Sequence, residues 1–189
     1  MKGLNYNWFG HIPKEMCQEL IDSVEAHSTL TTGILGEEGT TDPKMRKANI
    51  AWLKQEETPG VFEVIGALVS HANQEVYGLD IQGVQDAQYT VYDSEELGHY
   101  DWHMDIVPSK DSNSVEDRKI TVVVQLSDPD SYEGGDLESI GTGGTIDKRK
   151  SRSRGTVFSF PSFLTHRVTP VTKGVRRSLV LWYTGPNLK

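Results

Sequence analysis

Two residues of the segment HYDWHMD have the types and the spacing of metal ligands. His103 and Asp105 are two positions apart, and alternate side chains of a β-strand project from one face, so both can converge on one ion. His166, in the later segment FPSFLTHRVTPV, is the strongest candidate for a third ligand. Two imidazoles and one carboxylate would leave three positions of an octahedral ferrous ion open for a bidentate cosubstrate and O2. Taken alone, the His-x-Asp pair is weak evidence, because such a pair is more often part of a surface strand among polar neighbours.

An arginine ten residues after His166 supports the metal-site interpretation. In the segment HRVTPVTKGVRRSLVLWY, Arg176, Ser178 and Trp182 share one face of a predicted last strand by period-two alternation. A guanidinium is the natural partner of a carboxylate. If the intervening residues turn, Arg176 can point into the metal cavity and bind the far carboxylate of a dicarboxylic acid. Arg177 then faces outwards, as a solvated charge.

Two helices are expected in the first part of the chain. Pro13 opens an amphipathic pattern that predicts a helix over residues 13–27. Thr58 has the type of a capping residue, and Pro59 suits the first helical position before an apolar stripe that continues to Val76.

After Gly78 the pattern changes to short β-branched and aromatic runs separated by turn residues. We predict a mainly β fold with supporting α, a jelly roll in a single domain over residues 1–189. Residues 1–82 form the helical support and residues 83–187 the core, whose concave mouth suits a ligand. The predicted strands are residues 46–54, Ala87–Tyr92, Gly98–Met104, Lys119–Ser127, Gly135–Ile140, Thr156–Ser159 and Arg177–Tyr183.

The composition excludes several classes of protein. With 36% hydrophobic and 24% charged residues, the chain is too apolar for a disordered protein, and it has no apolar run long enough to cross a bilayer. The single Cys17 excludes cysteine-cluster metal sites. A net charge of −8 disfavours sequence-independent nucleic-acid binding. The amino terminus lacks the apolar segment of a secretory signal, so we expect a cytoplasmic location.

Three further segments could contribute to partner selection. The segment KRKSRSR, residues 148–154, holds five of the 19 basic residues and no acid. It is either a solvated hairpin loop or a contact site for an acidic or phosphate-bearing partner. If the chain binds nucleic acid at all, we expect this segment to make the contact. The long polar segments Thr31–Lys44 and Ile106–Asp117 could cover the cavity as lids or have no role.

Three separated blocks of the sequence resemble a known family. HYDWHMD, RKITVVVQLSDPDSYEGGDLE and GTVFSFPSFLTHRVTPVTKGVRRSLVLW are similar, in order and spacing, to the 2-oxoglutarate and Fe(II)-dependent dioxygenases of the prolyl 4-hydroxylase catalytic-domain type, especially PKHD-type hydroxylases. The resemblance covers roughly residues 87–184. It implies a double-stranded β-helix with helices packed on one sheet, Fe(II) bound by His103, Asp105 and His166, and Arg176 on the carboxylate of 2-oxoglutarate.

The resemblance also implies further contacts to 2-oxoglutarate. Family members place a tyrosine from the strand before the His-x-Asp motif near the cosubstrate, and Tyr92 ranks ahead of Tyr100 because it closes its predicted strand. Gln125 stands where some relatives carry a tyrosine on the cosubstrate, and its amide can still donate. Ser178 is expected beside the cosubstrate as well. Ordinary packing is the alternative role for Tyr92, Tyr100 and Gln125.

Other residues are candidates for the pocket wall. Tyr100, Trp182 and His99 are expected there, His99 because it shares a strand face with His103. Asp101 shares that face too and is the rival carboxylate, but its position before His103 does not match the family.

The activity implied by the resemblance is hydroxylation of an unactivated C–H bond, with a prolyl residue of a peptide or protein as the target. It would consume 2-oxoglutarate and O2, release succinate and CO2, and use ascorbate as an optional reductant. One alternative is a nucleobase oxidative demethylase, against which the acidic charge and the lack of an aromatic-interleaved basic groove count. A second alternative is a non-catalytic jelly-roll binding module. The presence of both histidines, Asp105 and Arg176 argues against that module.

Overall fold

The computed structural model describes residues 7–33, 42–106, 116–140 and 146–186. Within them the helices are α1 Lys14–His27, α2 Pro59–Ala72 and α3 Lys148–Arg152. The strands are β1 Trp8–His11, β2 Thr31–Thr32, β3 Arg46–Lys47, β4 Asn49–Leu53, β5 Gly83–Val84, β6 Ala87–Asp93, β7 His99–His103, β8 Glu116–Gln125, β9 Tyr132–Gly134, β10 Leu137–Ile140, β11 Thr156–Pro161, β12 Thr165–Val168 and β13 Val171–Pro186. The predicted class, mainly β with supporting α, is confirmed.

Two antiparallel sheets form the body of the protein. The larger sheet has the strand order β1-β11-β8-β13-β6-β4-β2, and the smaller sheet has the order β10-β12-β7-β3. Apart from the short β9, consecutive strands from β6 onwards alternate between the two sheets, with β6, β8, β11 and β13 in the larger and β7, β10 and β12 in the smaller. This alternation winds the chain as a double-stranded β-helix, so both sheets contribute side chains to the space between them.

The central strand β13 separates the apolar core from the cavity. Leu179, Leu181 and Tyr183 belong to a hydrophobic cluster that includes Leu20 of α1 and Ile65 of α2, so the helices cover the outer face of the larger sheet. The alternate residues of β13 face the smaller sheet, as period-two geometry requires. The apolar cluster holds this strand in place, and the strand in turn fixes the polar side chains of its inner face.

Both long helices begin where the sequence predicts. α1 starts after Pro13, and α2 starts at Pro59. Thr58 does not cap α2 through its side chain, because its hydroxyl donates instead to the carbonyl of Lys54 at 3.2 Å. The apolar stripe beyond the end of α2 continues in a π-helical turn, Asn73–Tyr77. Among the described residues, no helix is both long and apolar enough to span a bilayer.

Several strand boundaries differ from the prediction. The last strand begins at Val171 rather than Arg177, because its first residues pair with the short strand β9, which the sequence did not indicate. His166 lies within the short strand β12, paired with both β10 and β7. Thr31 and Thr32 pair with β4. Residues 34–41 and 107–115 lie outside the described residues, so the two lid assignments stay predictions.

The predicted hairpin loop over residues 148–154 is wrong. Lys148–Arg152 form the short helix α3, whose first turn is capped by the carboxylate of Asp147 accepting from the backbone N–H groups of Arg149 and Lys150. Arg152 is half-buried and donates to Asp136 at 2.9 Å. The solvated charge expected at Arg177 is also wrong, because its Nε donates to Glu25 of α1 at 2.6 Å.

The cluster beneath the helices should dominate stability. Leu179 is fully buried in the middle of the larger sheet, so Leu179→Ala should lower the free energy of unfolding by about 2–5 kcal/mol. Urea denaturation followed by far-ultraviolet circular dichroism measures the loss. The matched control is Leu30→Ala at a site 36% exposed, where about 0.5 kcal/mol or less is expected. Equal losses in the two variants would contradict the assignment of the core.

Candidate metal centre and cosubstrate pocket

Three potential ligand side chains meet between the two sheets. His103 ends β7 and pairs in register with His166 of β12, which brings the two imidazoles together on the inner face of the smaller sheet. Asp105 follows two residues after His103, and its backbone N–H donates to the carbonyl of Ser162 at 2.9 Å. The candidate ligand atoms of the three side chains all lie within 4.8 Å of one another. The predicted triad is therefore assembled by strand pairing.

Backbone contacts fix which imidazole nitrogen faces the centre. The Nδ1 atom of His103 lies 2.7 Å from the carbonyl oxygen of Asp101, and that of His166 lies 2.8 Å from the carbonyl oxygen of Leu164. A carbonyl can only accept, so each Nδ1 carries a proton, and in the neutral imidazole the Nε2 atom then presents its lone pair to the centre. The two Nε2 atoms lie 3.6 and 3.5 Å from the carboxylate oxygens of Asp105.

The protonation states suit a metal ion. Burial raises the pKa of Asp105, but the nearby imidazoles of His166 and His103 and a hydrogen bond from Thr121 lower it, leaving it below its usual value. The Thr121 hydroxyl donates to Asp105 Oδ2 at 2.8 Å. Burial and the neighbouring His166 lower the pKa of His103 to about 4. At neutral pH the site offers a carboxylate and a neutral imidazole from His103, the forms that bind metals.

The donor set fits Fe(II). Two imidazole nitrogens and one carboxylate oxygen match the two-histidine, one-carboxylate triad of non-haem ferrous sites. Asp105 and His166 are buried, and His103 is half-buried beside the cavity. The rival carboxylate does not join the triad, because Asp101 Oδ1 accepts from the N–H of Trp102 at 2.8 Å.

The buried guanidinium of Arg176 lies in the same cavity as the triad. Arg176 is 3% exposed and lines the cavity from β13. Its Nε donates to Gln125 Oε1 at 3.1 Å, and its guanidinium carbon lies 5.5 Å from the centre of the Tyr92 ring. Among the described residues no carboxylate lies within ion-pair distance of it. A buried charge is costly without a partner of opposite sign, so this wall is prepared for an anion.

The other predicted site residues divide into two groups. Tyr92, Tyr100, Ser178 and Trp182 line the cavity with Arg176. Tyr100 stacks on the imidazole of His103, with ring centres 3.5 Å apart, so it supports that candidate ligand by packing.

Two predicted residues lie outside this wall. Gln125 is fully buried behind Arg176, where its amide is already hydrogen-bonded. The ring nitrogens of His99 lie 2.9 and 3.1 Å from the carbonyl oxygens of Leu97 and Lys44, which hold the ring away from the cavity.

Arg46 and Thr121 are among the cavity residues that the sequence reasoning missed. Arg46 of β3 is 7% exposed, donates to Gln88 Oε1 at 2.5 Å and lies over the Tyr100 ring at 4.8 Å. The sequence could have indicated Arg46, because period-two alternation places it on the same strand face as the buried Ala48 and Ile50. Thr121 gave no signal, since a threonine in a predicted strand is ordinary.

Comparison with known proteins places this geometry in context. The family model of the 2OG-Fe(II) oxygenase superfamily matches residues 87–184, about half of the chain. A PKHD-type hydroxylase of Teredinibacter turnerae is 37% identical over an alignment of 89 residues that covers 45% of this chain and 37% of that protein. The match thus spans little more than a third of the length of this curated relative.

Solved structures agree with the fold. The viral collagen prolyl hydroxylase of Paramecium Bursaria Chlorella virus-1, in its 2OG complex, matches with a TM-score of 0.71 and 18% identity, over 95% of this chain and 96% of that chain. A Trichoplax adhaerens prolyl hydroxylase, in complex with a hypoxia inducible factor peptide fragment, matches with a TM-score of 0.72 and 20% identity, over 95% and 83%. The likeness confirms the predicted jelly roll.

The Thr121 hydroxyl that donates to Asp105 should raise the affinity of the site for its metal. Thr121→Val keeps the shape of the side chain but removes the hydrogen bond that orients the carboxylate. Loss of such a partner typically weakens metal binding about 10–100-fold. Anaerobic calorimetric titration with Fe(II) measures the Kd. Thr90→Val, whose hydroxyl contacts Gln88 instead of Asp105, should leave the Kd unchanged; an equal effect in both variants would refute the orienting role.

Proposed function

Because the chain belongs to the 2OG-Fe(II) oxygenase superfamily, we propose that it is an Fe(II)- and 2-oxoglutarate-dependent dioxygenase. It hydroxylates an unactivated C–H bond and releases succinate and CO2. The observation that carries this proposal is that one cavity contains both the His103–Asp105–His166 triad and the buried Arg176, whose charge no described carboxylate balances. A bound ferrous ion with 2-oxoglutarate would supply activation of O2 and delivery of one oxygen atom to the substrate.

The three candidate ligands are prepared before the metal arrives. The backbone carbonyls behind His103 and His166 accept from both Nδ1 atoms, so the neutral rings turn their Nε2 lone pairs towards the centre. Thr121 holds Oδ2 of Asp105, and the Ser162 hydroxyl lies 3.0 Å from that of Thr121. This network limits rotation of the carboxylate.

Arg176 selects the cosubstrate. A dicarboxylic keto acid that chelates the metal through one end would present its other carboxylate to the buried guanidinium. Ser178, two residues along the same strand face, can donate its hydroxyl to that acid, while Tyr92 forms the adjacent wall. Because these groups lie between two sheets, bulk water is largely excluded from the anion site, which strengthens the charge interaction.

A prolyl residue of a peptide or protein is the substrate class we propose. The support is that the solved structures with the same fold include prolyl hydroxylases, one of them in complex with a peptide fragment. The net charge of −8 counts against a nucleic-acid substrate. The presence of both histidines, Asp105 and Arg176 in one cavity counts against a binding module without turnover.

Turnover of 2-oxoglutarate against a library of proline-containing peptides tests the proposal. The protein is incubated with Fe(II), 2-oxoglutarate and O2, with and without ascorbate, and succinate is quantified while each peptide is weighed by mass spectrometry. We expect succinate together with a gain of one oxygen atom on a proline. Loss of a methyl group as formaldehyde from methylated oligonucleotides, with every peptide unchanged, would favour the demethylase. Fe(II) and 2-oxoglutarate binding without any turnover would favour the binding module.

Removing the carboxylate of the triad should abolish turnover. In Asp105→Ala only two imidazoles remain as ligands, so we expect no detectable succinate and weaker Fe(II) binding by calorimetry. Asp101→Ala is the matched control, because its carboxylate contacts the backbone of Trp102 and lies outside the triad. If Asp105→Ala stays active and Asp101→Ala does not, the triad has been assigned to the wrong carboxylate.

Removing the buried guanidinium should impair cosubstrate binding and spare the metal. Truncating one partner of a buried charge pair costs about 2–5 kcal/mol, so Arg176→Ala should raise the KM for 2-oxoglutarate about 30-fold or more. Arg177→Ala removes the same charge from the neighbouring position, which faces α1, and should leave that KM unchanged. Steady-state kinetics at fixed Fe(II) gives both values. An unchanged KM in Arg176→Ala would place the anchor elsewhere.

A further inference from the structure

Behind the cavity wall, a chain of contacts leads from Arg176 towards the protein surface. Arg176 Nε donates to Gln125 Oε1 at 3.1 Å. The amide nitrogen of Gln125 donates to the hydroxyl oxygen of Tyr132 at 3.2 Å and to the carbonyl of Ser127 at 3.2 Å. The guanidinium carbon of Arg152 lies 4.2 Å from the centre of the Tyr132 ring. Arg152 thus touches Arg176 only through two intermediate side chains.

The orientation of the Gln125 amide is fixed by its neighbours. The Nε–H of Arg176 can only donate, so it requires the amide oxygen, whereas the carbonyl of Ser127 can only accept, so it requires the amide nitrogen. In a flipped amide, the NH2 group would face the Nε–H of Arg176, donor against donor, and the oxygen would face the carbonyl of Ser127, acceptor against acceptor. Because Gln125 is 1% exposed, water cannot compensate for such a mismatch. Gln125 therefore presents its oxygen to Arg176 in one orientation.

The outer end of the chain is anchored by Arg152. Its guanidinium donates to Asp136 Oδ1 at 2.9 Å and to the carbonyls of Gly134 at 2.6 Å and Tyr132 at 3.0 Å. These contacts clamp the turn that follows β9 and hold the Tyr132 ring. This explains why Arg152 of the basic segment 148–154 is half-buried, although it lies outside the cavity.

The same turn packs closely against the aliphatic part of the Arg176 side chain. Gly135 has φ +62°, and a Cβ atom there would lie 2.9 Å from Cδ of Arg176, so only glycine permits this approach. The backbone at Gly135 thus confines the aliphatic stem while Gln125 holds the Nε. Both restraints act on the guanidinium from behind, leaving its cavity side for a ligand.

We propose that Gln125 is a positioning residue, held by Tyr132 and Arg152, that aims the Arg176 guanidinium at the distal carboxylate of 2-oxoglutarate. This inference rests on the proposed function. Gln125 then acts on the cosubstrate through Arg176, in place of the direct contact expected from the sequence. Since the basic segment supplies Arg152, part of that segment supports cosubstrate selection.

Two keto acids that differ only in the distal carboxylate provide the test. 2-Oxoglutarate and 2-oxopentanoate are titrated calorimetrically into Mn(II)-loaded protein without O2. The Kd of 2-oxopentanoate divided by the Kd of 2-oxoglutarate is the ratio that isolates the contribution of that carboxylate. Gln125→Leu should lower this ratio at least about tenfold, because the Arg176 guanidinium loses the hydrogen bond that aims it at the distal carboxylate. The Kd for Mn(II) itself should not change.

Milder variants keep the test valid if Gln125→Leu fails to fold. Tyr132→Phe keeps the ring under Arg152 and removes only the hydroxyl, and Arg152→Met removes the outer anchor; each should lower the ratio about threefold or more. Arg149→Met is the control, because it removes an exposed charge of the same helix, and its ratio should equal that of the unmodified protein.

Two outcomes separate the inference from the proposed function. If the variants weaken both keto acids equally, or weaken neither, the ratio stays constant and the positioning role is overturned. If the unmodified protein itself does not prefer 2-oxoglutarate over 2-oxopentanoate, Arg176 is not the carboxylate anchor and the proposed function fails at that point. A lowered ratio in the Gln125, Tyr132 and Arg152 variants, with the control unchanged, supports the inference.

Discussion

Ionised groups buried between two sheets are the constraint on which the rest of this structure depends. Asp105, Arg176 and Arg46 each expose less than a tenth of their surface, and a charge in such a place costs free energy unless it is paired. Asp105 has the two imidazoles and the Thr121 hydroxyl around it. Arg176 has only a neutral amide among its described polar contacts. Arg176 is thus left without a described partner of opposite charge, which favours an anion in the cavity beside the triad.

The apolar part of the fold makes these buried charges tolerable. Leu179, Leu181 and Tyr183, alternate residues of the central strand β13, enter the cluster beneath α1 and α2. The residues between them face the cavity. The strand is paired on both sides by β6 and β8, so its inner side chains have little freedom. Arg177, on the outer face of that strand, adds a polar tie to Glu25 of α1.

The fold tolerates more sequence change than the side-chain contacts that support the site. Solved structures at 18–20% identity retain the fold over 95% of this chain, so the double-stranded β-helix tolerates extensive substitution. The support behind Arg176 depends on individual side chains and on a turn that only glycine permits at Gly135. We expect such local supports to differ between relatives that share the triad, since any arrangement that satisfies the guanidinium and leaves its cavity side open would serve.

The sequence by itself determined which side chains share a face, because period-two alternation is a local property of an extended chain. It paired His103 with Asp105 and Arg176 with Ser178 and Trp182 on that basis. Only the tertiary structure decided which strands became neighbours. Pairing of β7 with β12 set His103 beside His166, whereas backbone carbonyls drew His99 away from the cavity. It also brought Arg46 to the cavity wall and set Arg152 behind Arg176, because contacts between distant segments depend on the packing of the whole chain.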